Sequence, residues 1–176
     1  MDRDAAVARI QQGLGFRSDK AAEIVTALQD AQIELELRPT LPWFLKEPTV
    51  DITTVADTAT VAYPTDFIML QEDGALHYFD SSADTDEQYT KLKHGEKYQL
   101  RAAYQSATGV PAAYHNEPEE QQFRFFPIPD DAYTIRIEDY YKKDSALSAG
   151  STENNWLIYA HEWLIGRAGR KIALGS

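Results

Sequence analysis

HEWLI, residues 161–165, comes nearest to a chemical motif in this chain. A zinc-protease helix reads H-E-x-x-H, because two imidazoles one turn apart can share a metal. Here position 165 is Ile165, so the second ligand is missing, and His161 reads as a helix-surface or interface residue. His77, His94 and His115 are scattered without ligand spacing. DSSADTDEQYTK, 80–91, places Asp80, Ser82 and Asp84 at the first three offsets of a calcium loop. Thr85 then stands where the glycine belongs and Lys91 where the bidentate glutamate belongs, so a solvated loop is expected. GLGFRS, 13–18, contains G-x-G but follows a helical pattern and lacks the third glycine, which excludes a dinucleotide turn. Neither a G-x-S-x-G elbow nor a Walker loop is present. Two acid clusters remain, Asp130-Asp131 and Glu117, Glu119 and Glu120. Carboxylates in turns face water, where nothing perturbs their titration, so neither cluster is expected to do acid/base work. Nothing among these residues makes a convincing active site, and no catalytic residue, cofactor or metal is assigned.

The elements around these residues belong to one domain, or to one helical scaffold carrying an inserted β-module, in 176 residues. With no cysteine, disulfides, thiol catalysis and thiolate zinc sites are excluded. No apolar run approaches a membrane span, and MDRDAAVARI is a charged helix rather than a signal peptide. A soluble intracellular product is expected. The net charge of −11 is uneven: residues 51–150 carry −10, residues 1–50 carry −2 and residues 151–176 carry +1. The middle of the chain would repel phosphate, which argues against duplex nucleic-acid binding there.

Helical spacing of Ala6, Ile10 and Leu14 predicts a helix over 3–14. A second helix, N-capped by Ser18 and running to about 37, carries Ala21, Ile24, Val25, Leu28, Ala31 and Leu35 in one stripe. Pro39 and Pro42 end it, and an αα-hairpin results. LPWFL, 41–45, should pack under that hairpin. From Val50 the chain turns β-rich: two short strands joined near Ala56-Asp57, then FIML and ALHYF as a second hairpin about the EDG turn at 72–74. GEKYQLRAAYQ, 95–105, predicts a short helix with Tyr98, Ala102 and Gln105 on one side. Phe123 and Phe125, then Tyr133, Ile135 and Ile137, alternate with polar residues on either side of the PIPDD loop. Period two makes both arms strands with one buried face, the core of a small antiparallel sheet. The last helix, about 156–173, is capped by Asn154 or Asn155. Its stripe is Leu157, Ala160, Leu164, Ala168 and Ile172, widened by Trp156 and Trp163, with Arg167, Arg170 and Lys171 complementing the dipole at its end. The fold class expected is α+β. An N-terminal αα-hairpin (1–45) and a C-terminal helix (151–176) form a helical bundle, with an antiparallel β-module (46–150) inserted.

In this order the chain resembles the head-to-tail adaptor (connector, or neck) proteins of short-tailed bacteriophages. The likeness is carried by ALQDAQIELELRPTLPWFL at 27–45, YPTDFIML at 63–70, GVPAAYH at 109–115, RFFPIPDDAYTIRIEDYYKK at 124–143 and ENNWLIYAHEWLIGRAG at 153–169. The resemblance implies a structural, non-enzymatic virion protein at the head–tail interface, made in the host cytoplasm. Copies would assemble as a ring, typically a dodecamer, beneath the portal, extend the DNA channel, and dock the tail nozzle or fibres. An acidic chain suits a channel that DNA must slide through without lasting phosphate contacts. Heterologous ring contacts would use exposed aromatic and Arg residues, and Trp43, Trp163, Arg167, Arg170 and Lys171 are the candidate portal and subunit interface. Related adaptors often continue past the last helix with an arm that enters portal clefts. This sequence stops at Ala173-Leu174-Gly175-Ser176, so the helix end itself docks or attachment differs. Rival readings are a tail-completion or stopper ring, a small hydrolase with convergent acids in a pocket, and a binding module. The last requires Tyr133, Tyr140 or Tyr141 exposed in a row, whereas period two predicts the odd-numbered ones buried.

Overall fold

A computed structural model describes residues 1–71, 75–79 and 89–175. The EDG turn and the part of the calcium-like loop before Tyr89 lie outside the described residues. The chain divides into a helical unit, Met1–Leu45 with Lys143–Ser176, and a β-rich unit, Lys46–Lys142. Residues 143–150, which composition grouped with the β-module, therefore belong with the helices. The protein is mixed α+β, with five α-helices and antiparallel sheets among the described residues.

In the helical unit, α1 (Arg3–Gly13) is capped by Asp2, whose side chain accepts from the Ala5 N–H at 2.8 Å, and it buries Ala6, Val7 and Ile10. GLGF turns out to be its C-terminal stop. Gly15 takes the left-handed φ of +76°, its N–H bonds the Gln12 carbonyl at 3.2 Å, and the Phe16 N–H reaches back to the Gln11 carbonyl at 2.8 Å. That pair of bonds is a Schellman motif, which needs a residue tolerant of positive φ where Gly15 sits. Ser18 opens a 3₁₀ turn, Ser18–Lys20, rather than capping α2 (Ala21–Glu36). The interposed turn places its hydroxyl too early to reach the α2 amides. α2 buries Ile24, Ala27, Leu28, Ala31 and Leu35 and packs against both α1 and the last helix.

The single closing helix expected from periodicity is two, α4 (Asn155–Tyr159) and α5 (His161–Gly175). At Ala160, φ −139° and ψ 30°, the ladder breaks; Ala160 donates back to the Trp156 carbonyl, and its own carbonyl accepts from Trp163 and Leu164 to start α5. Asn154 is the cap, its Oδ1 accepting from the Leu157 N–H at 3.0 Å. Leu157, Leu164 and Ala168 are buried as expected, but Ala160 and Ile172 are only half-buried and Trp163 points outward. Because α5 continues to Gly175, Arg167, Arg170 and Lys171 precede its last turn and do not serve its dipole.

The β-rich unit contains β1 (Lys46–Thr53), β2 (Thr60–Ala62), β3 (Phe67–Leu70), β4 (Leu76–Phe79), β5 (Tyr89–Lys91), β6 (Lys93–His94), α3 (Lys97–Tyr104), β7 (Ala113–Glu117), β8 (Gln122–Phe126) and β9 (Thr134–Lys142). One sheet runs β1-β9-β4-β5, with β3 also on β9; the other runs β2-β8-β7-β6. Three local pairings inferred from turns are corrected. β1 and β2 form no hairpin but join different sheets. β3 and β4 both pair with β9, not with each other. β8 and β9, the two aromatic arms, also lie in different sheets. In addition β6 and β7 run parallel. The apolar alternation was right about which faces are buried, and one core unites them: Leu76, Leu92, Ile135, Ile137 and Tyr140 pack with Tyr114, Phe123 and Phe125 of the opposite sheet. Two sheets with one apolar face each must cover one another, and long β9 is the strand long enough to serve three partners.

The alternation on β9 breaks at Asp139, φ +51°, so Tyr140 is buried while Tyr133 and Tyr141 are half-buried. The odd-numbered rule therefore fails there, and no exposed tyrosine row forms. Opposite Asp139 stands Pro48, which has no N–H to donate; the Asp139 carbonyl accepts instead from Gln71 at 2.9 Å. The α3 helix exists, but its inward residues are Leu100 and Tyr104, packed on Ala113 and Phe126. Tyr98, on the side shared with Ala102 and Gln105, is 82% exposed.

Candidate functional site

Glu117 is the first place to look for chemistry, since it is a buried carboxylate at the end of β7 rather than a turn residue in water. It accepts from Arg124 Nε at 2.7 Å, Lys97 Nζ at 2.6 Å and Gln122 Nε2 at 2.6 Å. Burial would push its carboxyl up, but the hydrogen bonds from Arg124, Lys97 and Gln122 outweigh it and hold the group at about 2. A carboxylate so firmly ionised and so fully occupied neither takes nor gives a proton near neutrality. It pins the β7–β8 hairpin to α3. Beside it, the Tyr63 hydroxyl donates to Asn116 Oδ1, and burial, with Glu117 and Glu120 nearby, pushes that phenol up to about 12. Asp130 accepts from the Tyr133 hydroxyl, so this acid also serves a turn. Glu119 and Glu120 are exposed, as expected. Among the described residues no group of His, Asp and Glu is arranged to hold a metal ion.

A well-formed concavity lies within the helical unit. It is a groove of about 710 Å³ between the segment Pro39–Leu45 and the start of α5, with Leu35 and Trp156 beneath. LPWFL builds one wall, and it does so by splitting: Leu41 and Leu45 are buried, Phe44 is half-buried, and Trp43 is 70% exposed. The expectation that the whole segment packs away is thus half wrong. Four rings meet here. Trp43 and Tyr159 have centroids 5.0 Å apart, Phe44 stacks on Tyr159 at 5.6 Å and meets Trp156 edge-on at 5.1 Å.

A buried polar network holds these rings in place. Glu36 Oε1 accepts from Trp156 Nε1 at 3.0 Å, Gln32 Nε2 at 3.0 Å and the Asp144 N–H at 3.2 Å. Asn154 donates to Gln32 Oε1 at 3.0 Å and to the Ser145 carbonyl at 2.9 Å while it caps α4. Asn155 Nδ2 bonds the Phe44 carbonyl at 3.3 Å, tying the two walls together. Side-chain bonds of this kind fix ring orientation more tightly than apolar packing does. Sequence reasoning missed Gln32 and Glu36; the available signal was their i, i+4 spacing inside the apolar stripe of α2.

Of the five interface candidates, Trp163, Arg167 and Arg170 line one groove together. Trp43 and Trp163 are both exposed, Trp163 at 69%, and Trp163 lines the groove. Arg167 and Lys171, one turn apart, both turn to Glu34 on α2, Lys171 at 3.4 Å. Arg170 lines a second, adjoining groove of about 330 Å³ with Arg38, Trp163 and Gly166. Trp163 is thus a ridge between an aromatic groove and a basic one. His161 borders the aromatic groove, 3.4 Å from Glu162, which in turn pairs with Arg9 at 2.5 Å. Nothing in either groove assembles a nucleophile, a base and an oxyanion donor; the arrangement suits apolar and cationic contact with another surface.

No curated protein matches the chain. One family does, described as SU10 adaptor protein, over residues 1–169. The match takes in both units, from the first helix through Gly169 of α5. With aromatic and cationic side chains turned outward and its buried acid locked in an ion cluster, this chain belongs to the SU10 adaptor protein family.

Proposed function

We propose that the protein is a head-to-tail adaptor of a short-tailed bacteriophage, assembling as a ring that joins the portal to the tail nozzle or fibres and extends the DNA channel. In this reading the helices of the discontinuous unit act as a bundle that binds the portal and neighbouring copies, and the β-rich unit faces outward or toward the tail. The ring is expected to be a dodecamer, and the protein a component of the virion neck. The observation that carries the reading is an outward-facing aromatic and cationic surface, Trp43, Trp163 and Arg170, on a chain of an adaptor family. Interface centres are enriched in such residues, and a lone domain gains nothing by exposing them. The acidic balance supports passage of DNA rather than binding to it.

The test is size-exclusion chromatography of the chain with the portal of the same virion, followed by particle imaging. A ring stacked coaxially on the portal is expected. Trp163→Ala with Arg170→Glu should weaken that association by about ten-fold or more, the scale of an aromatic or arginine hot spot. Arg170 is the better choice for charge reversal than Arg167 or Lys171, which are tied to Glu34. Unchanged assembly on the portal would remove these residues from the interface.

A further inference from the structure

Charge is divided unevenly between the two units. The helical unit holds 10 acids and 9 bases, a net −1, whereas the β-rich unit holds 18 acids and 8 bases, a net −10. Five of those 8 bases are already committed inside the β-rich unit. Lys46 pairs with Asp139, Lys97 and Arg124 with Glu117, Arg136 with Asp51, and Lys142 with Glu47. That leaves Lys91, Lys93 and Arg101. Asp57, Asp66, Glu96, Glu119 and Glu120 are exposed, and among the described residues none of them has an ion-pair partner. Asp57 precedes β2 and Asp66 follows it, Glu96 precedes α3, and Glu119 and Glu120 lie in the turn between β7 and β8. The surplus is therefore spread over the unit and not gathered at one point.

A surplus of one sign repels the same surplus on a like body. In a ring every copy has a like copy on each side, and the β-rich unit has too few uncommitted bases to answer a neighbour's acids. The helical unit, close to neutral, brings no such opposition. We infer that the β-rich units act as an electrostatic brake on ring closure, so that copies associate more tightly as ionic strength rises. This rests on the ring reading above and adds its regulation by counter-ions. The helical units supply the attraction, and the β-rich units set the ionic conditions in which it prevails.

The sign of the salt effect separates this brake from an ordinary charged contact. An interface held by opposite charges loosens in salt, because counter-ions screen the attraction. Here the screened force is a repulsion, so salt tightens the assembly. The Debye length falls from roughly 30 Å at 0.01 M to roughly 10 Å at 0.1 M. Surpluses on neighbouring copies that oppose each other at the lower strength are thus largely screened at the higher.

The test neutralises the uncommitted acids. Asp57→Asn, Asp66→Asn, Glu96→Gln, Glu119→Gln and Glu120→Gln together halve the charge of the unit to −5. Asparagine tolerates the left-handed φ of +60° and +63° at the first two positions, so folding is preserved, as circular dichroism would check. Assembly on the portal of the same virion is followed by sedimentation velocity in about 10 mM and about 100 mM potassium chloride. The readout is the chain concentration at which half of the portals carry a ring. In the lower salt the variant should reach it about ten-fold below the native chain, and in the higher salt the two should agree within about two-fold. Glu119→Gln with Glu120→Gln alone should move the same way by a smaller factor, which keeps the test open should the larger variant not fold. A variant that needs as much chain as the native protein in the lower salt, with rings still forming, overturns the brake and leaves the ring standing. If native copies form no ring on the portal in either salt, the ring reading falls and the brake with it.

Discussion

The two units spend their aromatic residues in opposite ways. In the β-rich unit Tyr114, Phe123, Phe125 and Phe126 are buried, and among the described residues only Tyr98 stands clear. In the helical unit Trp156 is buried, while Phe16, Trp43, Tyr159 and Trp163 face outward. A two-sheet core is thin and needs bulk to fill it, so aromatics there stiffen the fold. The helices fill their own core with Ala, Leu and Ile, which leaves aromatics free for contact. The same residue type therefore reports stability in one unit and recognition in the other.

That contrast can be broken from the β side first. Phe123→Ala removes a fully buried ring shared by the two sheets and should cost about 3–5 kcal/mol in a denaturant titration followed by near-ultraviolet spectroscopy. A loss below about 1 kcal/mol, the ordinary surface scale, would mean the ring is not core.

The Glu117 cluster sharpens the comparison by pH. Its folded carboxyl lies near 2 against an ordinary 4.5, so its stabilising contribution is complete above 4.5 and is lost as pH falls toward 2. The whole contribution is on the order of 3 kcal/mol, from the size of the shift. Urea midpoints measured across that window should drop, and Glu117→Gln should flatten the slope while lowering stability at neutral pH. An unchanged slope in the variant would assign the acid sensitivity to other carboxylates.

Asn154→Ala tests the scaffold of the groove. It removes a helix cap and two further bonds, and a loss of about 1–2 kcal/mol is expected. Tryptophan fluorescence should shift with it, because the network it belongs to orients Trp156. The smallest stability effect is predicted for Trp163→Ala: within about 0.5 kcal/mol in thermal or chemical melts, as for an exposed residue, yet with weakened assembly. A large stability loss there would show the ring to be packed, and the contrast between the units would fail.

Much of this was legible in the chain itself. Period-two alternation named the buried faces of β8 and the first half of β9, and Pro39 and Pro42 marked the end of α2. Pairing was not legible: turn residues suggested local hairpins, but β9 outcompeted nearby partners because its length and apolar face bury more than a short neighbour can. Nor was the break at Ala160, which no glycine or proline announces.

Sequence by itself determined the α+β class, most of the helices and strands, and the family, since these depend on local propensity, periodicity and the order of short motifs. Tertiary structure alone decided that Glu117 is sequestered, that Arg167 and Lys171 are held by Glu34, and that Phe44, Tyr159 and Trp163 line one groove. Exposure and charge pairing are set by what stands opposite a side chain, and a linear chain does not specify its opposites until it has folded.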